Sequence, residues 1–73
     1  MFVVQLEVWH QERWKPVRRC DTAHGQPHVD VLDPAGRTID KQWLRLSNNA
    51  ALTLAINDIK YNWRQYLAEF EGL

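Results

Sequence analysis

The sequence predicts an α+β fold, in which a four-stranded antiparallel meander is followed by one long C-terminal helix packed on one face (ββββα). Two observations predict it. Large apolar residues alternate with polar ones in short runs through the first half of the chain, and turn-forming residues separate these runs. From Ala50 to Phe70 the chain has no Gly or Pro, and its apolar residues recur at helical spacing. With 73 residues, we expect a single domain over residues 1–73.

The period-two patterns define the predicted strands. In residues 2–9, Phe2 and Val4 begin one apolar row, and Val3 and Gln5 begin the opposite row. Pro16 cannot donate a ladder hydrogen bond, so it predicts an edge position or a bulge in the second strand. We expect strands at about residues 2–9, 13–20, 28–32 and 37–43.

Turn and cap residues set the ends of the remaining elements. The run Asp33-Pro34-Ala35-Gly36 is typical of a tight turn between the third and fourth strands. Ser47 and the two asparagines after it are favoured helix N-caps, and Gly72 stands where a helix often ends. These signals predict a helix at about residues 49–70. Its predicted sheet-facing stripe is Leu52, Ile56, Ile59, Trp63, Tyr66 and Phe70.

Composition and charge limit the possible functions. The formal net charge is zero, with nine basic and nine acidic residues, whereas a strong nucleic-acid binder usually has a basic excess. RNA is therefore a possible partner that net charge does not support. The single cysteine excludes an internal disulfide. Because there is neither a secretion signal nor an apolar run of about 20 residues, we expect no membrane contact and a cytoplasmic location.

The chain has more large apolar residues than one helix can cover. Four tryptophans and several valines and leucines lie in or beside the predicted strands and helix. A chain of this length also has a thin core, which a disulfide, a metal or a partner subunit commonly supplements. We therefore expect a homodimer, and a protein partner is a further possibility.

One ten-residue stretch, from Asp21 to Asp30, gathers most of the groups able to move protons or bind ligands. It contains His24, Gly25 and His28, and it directly follows Arg19 and Cys20. Histidine transfers protons near neutral pH, and arginine stabilises phosphate charge. One hypothesis is therefore a small metal-independent ribonuclease. Its candidate catalytic residues are His24, His28, Arg19 and Asp21.

Two other interpretations use the same stretch. Two histidines and a carboxylate form a ligand set that zinc or iron accepts, so a metal-binding protein is an alternative, although the spacing matches no recurrent zinc motif. In the structural interpretation, Asp21 and Thr22 accept turn N–H groups, Gly25 supplies backbone geometry, and His28 is a cross-strand partner. We expect no cofactor, and we assign no residue as a metal ligand.

The segment from Trp14 to His28 also resembles a group of short uncharacterised bacterial proteins. These share a strand, the pattern W-x-P-V-x-R, an aromatic residue, and then D-T-A-H-G-x-x-H; Cys20 stands here in place of the aromatic residue. More distantly, the pattern R-x-D-x-x-H-G…H is similar to R-Y-D-N…H-x-H in TumE-type toxins of toxin–antitoxin modules. That resemblance implies a cytoplasmic module component, with matching positions at Arg19, Asp21, His24 and His28.

The leading hypothesis is a small binding or interaction protein, a component of a toxin–antitoxin-like module. The ribonuclease and the metal-binding protein remain the alternatives, and whether the chain is an enzyme stays open.

Overall fold

The structure, a computed structural model, describes residues 1–23 and 25–73. Its elements are strands β1 (Val3–His10), β2 (Arg13–Asp21), β3 (His28–Leu32) and β4 (Thr38–Trp43), followed by helix α1 (Asn48–Glu71). The strands form one antiparallel sheet in the order β1-β2-β3-β4. The predicted ββββα fold is therefore confirmed.

The bulge expected at Pro16 is present. Leu6 pairs with Arg18 and Glu7 pairs with Pro16, so Val17 is an extra residue in β2. The missing N–H of Pro16 thus falls beside an irregularity in the ladder, in a central strand of the sheet. Beyond the bulge the register is regular, and it sets which β2 side chains face the helix.

The register divides the sheet into two faces. Val4, Cys20 and Val29 lie next to one another on the face toward α1, and they pack with Ala55 in the core. Burial, more than the nearby charges, raises the pKa of the Cys20 thiol. Because side chains alternate along a strand, the neighbouring positions lie on the opposite face. We call this second face the open face; one of its rows consists of Val3, Asp21, His28 and Trp43, and the next of Gln5, Arg19, Asp30 and Lys41.

The side of α1 that faces the sheet differs from the apolar stripe predicted from the sequence. Ala51, Ala55 and Phe70 are buried, whereas Ile56 is 50% and Trp63 is 40% exposed. The prediction was wrong for these last two residues. Alanines let the helix axis approach the sheet closely, which rotates the bulkier residues to the flank. Among the described residues, no helix is long and apolar enough to cross a membrane.

The helix ends agree with the predicted signals. The Ser47 side chain accepts a hydrogen bond from the backbone N–H of Ala50 at 3.2 Å, as an N-cap does. Gly72 ends the helix with its N–H directed at the carbonyls of Ala68 and Glu69. Because the φ of Gly72 is −84°, the end of the helix does not require a left-handed backbone conformation.

The first hairpin contains backbone strain. Gln11 and Glu12, which connect β1 and β2, have φ of 53° and 65°. Two consecutive positive φ values are typical of a type I′ turn, which favours Asn-Gly because other residues experience a steric penalty there. We predict that the double substitution Gln11→Asn and Glu12→Gly raises the free energy of unfolding by about 1–2 kcal/mol.

Urea denaturation measures this change. A useful control is Lys60→Gly, which places a glycine at an exposed position in the middle of α1 and should destabilise the protein. Equal destabilisation by both changes would contradict the assignment of strain to the hairpin.

The second hairpin is fixed by Asp33. Its Oδ1 accepts hydrogen bonds from the N–H groups of Ala35 and Arg37, both at 2.9 Å, and its Oδ2 lies 3.0 Å from Arg37 Nε. Gly36, with φ of 85°, completes the turn. The hydrogen bond from the Arg37 backbone lowers the pKa of Asp33 below 3.8, and the Arg37 side chain and the Ala35 N–H act in the same direction, against partial desolvation.

This shift predicts a pH dependence. A carboxyl group whose pKa is lower in the folded state stabilises the protein above its unfolded-state pKa, and this stabilisation is lost as the pH falls toward its folded-state pKa. We therefore expect Asp33→Asn to flatten the decline of the unfolding free energy below about pH 4. The control is Asp40→Asn, which removes an exposed carboxylate. Urea denaturation between pH 2 and 6 should show a steeper decline of the unfolding free energy for Asp40→Asn than for Asp33→Asn.

Candidate functional site

The candidate site is a cluster of buried polar side chains where β2 ends and β3 begins. Asp21 is the last residue of β2, His28 is the first residue of β3, and the two are register partners. Asp30 follows two positions later and therefore points to the same face. All three residues are buried, and His28 is only 2% exposed. Strand pairing thus places one histidine and two aspartates next to one another.

The turn between these strands is fixed by its own hydrogen bonds. Asp21 Oδ1 accepts the N–H of Ala23 at 2.9 Å, and the carbonyl of Thr22 accepts the N–H of Gly25, also at 2.9 Å. Gly25 has φ of 81°, which glycine adopts without strain. Thr22 Oγ1 accepts the N–H of Phe2, so the turn is also tied to the start of β1. The structural roles predicted for Asp21 and Gly25 are therefore confirmed.

His28 lies between groups that can only accept hydrogen bonds. Its Nδ1 is 3.2 Å from the carbonyl oxygen of Gln26, so this nitrogen must carry a hydrogen and donate it. Its Nε2 is 3.2 Å from Asp21 Oδ1 and 3.5 Å from Asp30 Oδ2. Nε2 is therefore the ring nitrogen that faces the two carboxylates.

The remaining neighbours complete the surroundings of this cluster. The Trp43 ring packs against the His28 ring with centroids 5.0 Å apart. Lys41 Nζ lies 3.6 Å from Asp30 Oδ1, which is within ion-pair range but too long for a hydrogen bond. Asp30 Oδ1 itself is buried and has no hydrogen-bond partner among the described residues. The carboxylate of Asp30 is therefore the least satisfied group of the cluster.

The structure places the four predicted catalytic residues differently. Asp21 and His28 are in contact, as described above. Arg19 lies in the neighbouring row, where its Nε donates to Gln5 Oε1 at 2.7 Å. His24 lies outside the described residues, so its convergence with His28 stays a prediction. The burial of His28 weighs against the ribonuclease hypothesis, because a proton-transfer group must contact its substrate.

Asp30 and Lys41 complete the cluster, although neither is among the four predicted catalytic residues. Asp30 is the last residue of the polar stretch, and Lys41 belongs to no motif. Period-two alternation places Asp30 on the same face as His28, whereas Lys41 is placed by its pairing with Asp30 across the hairpin. That step required the β3–β4 register, which the sequence does not give directly.

A second polar network lies on the opposite face. Arg18 points toward α1, where its Nε is 3.3 Å from Asp58 Oδ2 and its guanidinium carbon is 4.2 Å from the Tyr66 ring centre. The Tyr66 hydroxyl donates to Asp58, and desolvation, aided by this hydrogen bond, raises the pKa of Tyr66. The two adjacent arginines, Arg18 and Arg19, are thus directed to opposite faces and cannot serve one site.

His10 also differs from its expected place. The sequence predicts a solvated hairpin histidine, but His10 ends β1 and packs edge-on against Phe70, with ring centroids 5.7 Å apart. Its Nδ1 is buried and has no hydrogen-bond partner among the described residues. His10 therefore has a packing position and lies apart from the cluster.

Comparison with protein families identifies this chain. The profile of the family described as "Domain of unknown function (DUF7718)" matches residues 1–72, and the chain belongs to this family. The match includes every strand and the helix, as well as Asp21, His28 and Asp30. Comparisons with curated proteins and with solved structures gave no match.

The geometry predicts how strongly the cluster holds β2 to β3. Replacing Asp21 by Ala removes both the turn hydrogen bond and one partner of His28. We expect the free energy of unfolding to fall by about 2–3 kcal/mol, because two buried hydrogen-bonded contacts are lost together. Asp21→Asn should cost less, because its side-chain oxygen still accepts from Ala23.

Thermal and urea denaturation measure both effects. The control is Asp40→Ala at an exposed position on the other face, with an expected change within about 0.5 kcal/mol. If Asp21→Ala changed stability no more than Asp40→Ala does, the cluster would have no structural role.

Proposed function

We propose that this protein is a non-enzymatic interaction protein that acts as a homodimer, as a component of a toxin–antitoxin-like module. The supporting observation is that α1 leaves part of one sheet face uncovered. The helix packs mainly on β1 and β2 and reaches Val29 of β3 through Ala55, whereas β4 lies beside it. The module assignment derives from the resemblance to TumE-type toxins and is part of the proposal.

The uncovered part of this face has apolar walls. Between α1 and β3–β4 runs a groove, which we call the helix-side groove, with Leu54 on its helix wall and Ile39 near its sheet wall. These two side chains are 48% and 49% exposed. Two open cavities lie along this groove and share Arg18. Their apolar lining residues are Val17, Val29, Val31, Leu32, Ile39, Leu44, Leu54, Ala55, Phe70 and Leu73.

The size of the groove and of the core favours a second copy as its occupant. Two strands span about 10 Å, which is about the diameter of a helix with its side chains, so one further element would cover the groove. Among the described residues, the buried apolar core contains only seven, of which two are alanines and one is a cysteine. A core of this size supplies little stability alone, and burial of the groove in a symmetric dimer would supplement it.

The open face provides a separate surface for a partner protein. Trp9 and Trp14 are 59% and 63% exposed, and their rings meet edge to face with centroids 5.6 Å apart. Exposed tryptophans are enriched at protein interfaces. This pair lies at the hairpin end of the sheet, so a partner bound there would leave the helix-side groove accessible to a second copy.

Light scattering coupled to size-exclusion chromatography tests the dimer. We expect wild-type protein to elute at twice its monomer mass at micromolar concentrations, and Leu54→Gln to shift it to the monomer. Ile56→Gln is the matched control, because Ile56 has nearly the same exposure and lies 200° around the helix from Leu54.

Two results would contradict the proposal. A wild-type monomer at high concentration would exclude the homodimer. Dissociation by Ile56→Gln, with Leu54→Gln still dimeric, would exclude the helix-side groove as the interface.

A further inference from the structure

We infer that Asp21, His28 and Asp30 form a binding site for a divalent transition-metal ion of the zinc, manganese or iron class. This inference is independent of the proposed dimer and concerns the open face. One nitrogen and two carboxylate oxygens form a ligand set that these ions accept. The candidate ligand atoms of the three residues all lie within 4.8 Å of one another.

The distances fit a common ion. Ligands bound tetrahedrally at about 2.0–2.1 Å are separated from one another by about 3.3–3.4 Å, and octahedral ligands by about 3.0 Å. His28 Nε2 lies 3.2 Å from one carboxylate oxygen and 3.5 Å from the other. A modest approach of Asp21 and Asp30 toward each other would therefore place all three atoms on one ion.

The orientation of His28 also matches that of a metal ligand. A ligating histidine almost always donates its second ring N–H to a carbonyl or a carboxylate, and this fixes the ring and its tautomer. Here Nδ1 is directed at the carbonyl oxygen of Gln26 at 3.2 Å. The lone pair of Nε2 is then aimed at the space between Asp21 and Asp30.

Asp30 supplies a second, independent observation. The residue is only 8% exposed, and its Oδ1 makes no hydrogen bond to any described group. Its other oxygen is 3.5 Å from His28 Nε2, at the long limit for a hydrogen bond. Native proteins rarely leave a buried carboxylate without short hydrogen bonds, because desolvation is then uncompensated. A cation bound by both oxygens of the Asp30 carboxylate would supply the missing partner of Oδ1.

One positive side chain lies close enough to compete with a metal ion for this site. Lys41 Nζ approaches Asp30 Oδ1 at 3.6 Å, but its side chain is 40% exposed, so it can swing outward when a metal ion binds. This competition makes a specific prediction: removing the Lys41 charge should strengthen metal binding, whereas it would weaken a purely structural ion pair.

Asp21, His28 and Asp30 would fill three coordination positions of an ion that takes four or more ligands. Water or a further ligand atom would fill the remaining positions.

Wild-type protein gives the first test, since no variant is needed. Substoichiometric Mn²⁺ should broaden the NMR signals of Asp21, His28 and Asp30 before all others, and Zn²⁺ titrated by calorimetry should bind saturably at one ion per chain. Uniform broadening, broadening centred elsewhere, or no heat of binding would overturn the inference.

Variants give the second test. Asp30→Asn should weaken Zn²⁺ binding by more than about tenfold, and Lys41→Gln should strengthen it several-fold. The control Asp40→Asn removes a carboxylate from the adjacent position on the other face and should leave binding unchanged. Equal affinity in wild type, Asp30→Asn and Lys41→Gln would overturn the site, and because Lys41 is a surface residue, that arm does not depend on a destabilised protein.

Discussion

The contact of His28 with Asp21 and Asp30 is the constraint on which the open face depends. It joins the end of β2 to the start of β3 across a turn of six residues, in a part of the sheet that α1 does not cover. On that side, the buried row contains polar groups where an apolar core would otherwise lie. Removing a single partner would take a hydrogen-bonding contact away from a buried polar group, whose desolvation would then be less well compensated.

On the other face, the bulge at Val17 and the small residues of α1 set the packing. The bulge determines which β2 side chains face the helix, so that Cys20 reaches the core and Arg18 reaches Asp58. Ala51 and Ala55 bring the helix close to the sheet. The consequence is a narrow contact with β1 and β2, an open groove beside it, and an apolar flank on the helix. Each face therefore leaves a surface that the single chain does not cover.

Local patterns predicted most of this architecture. Period-two alternation located β1 and β3, the turn residues located Asp33 to Gly36, and Ser47 located the start of the helix. The helix rotation was not predictable from its apolar stripe, because close packing of alanines outweighed the burial of Ile56 and Trp63.

The candidate site was only partly predictable, for a related reason. The sequence showed a polar stretch and identified Asp21 and His28 within it, since both lie at the turn. Alternation within β3 places Asp30 beside His28, but the assignment of Lys41 depended on cross-strand register, which is set by the β3–β4 pairing and its irregularity near Leu32. The separation of Arg18 from Arg19 follows from alternation, but the partners of each required the positions of α1 and β1.

One feature of His28 underlies the site: its Nδ1 donates to the Gln26 carbonyl, so that Nε2 faces the two carboxylates. Nitrogen-15 NMR of the imidazole ring measures this most directly, since it reports which ring nitrogens carry a proton. We predict that Nδ1 carries a proton both with and without added Zn²⁺. A neutral ring with its only proton on Nε2 and a bare Nδ1 would contradict it.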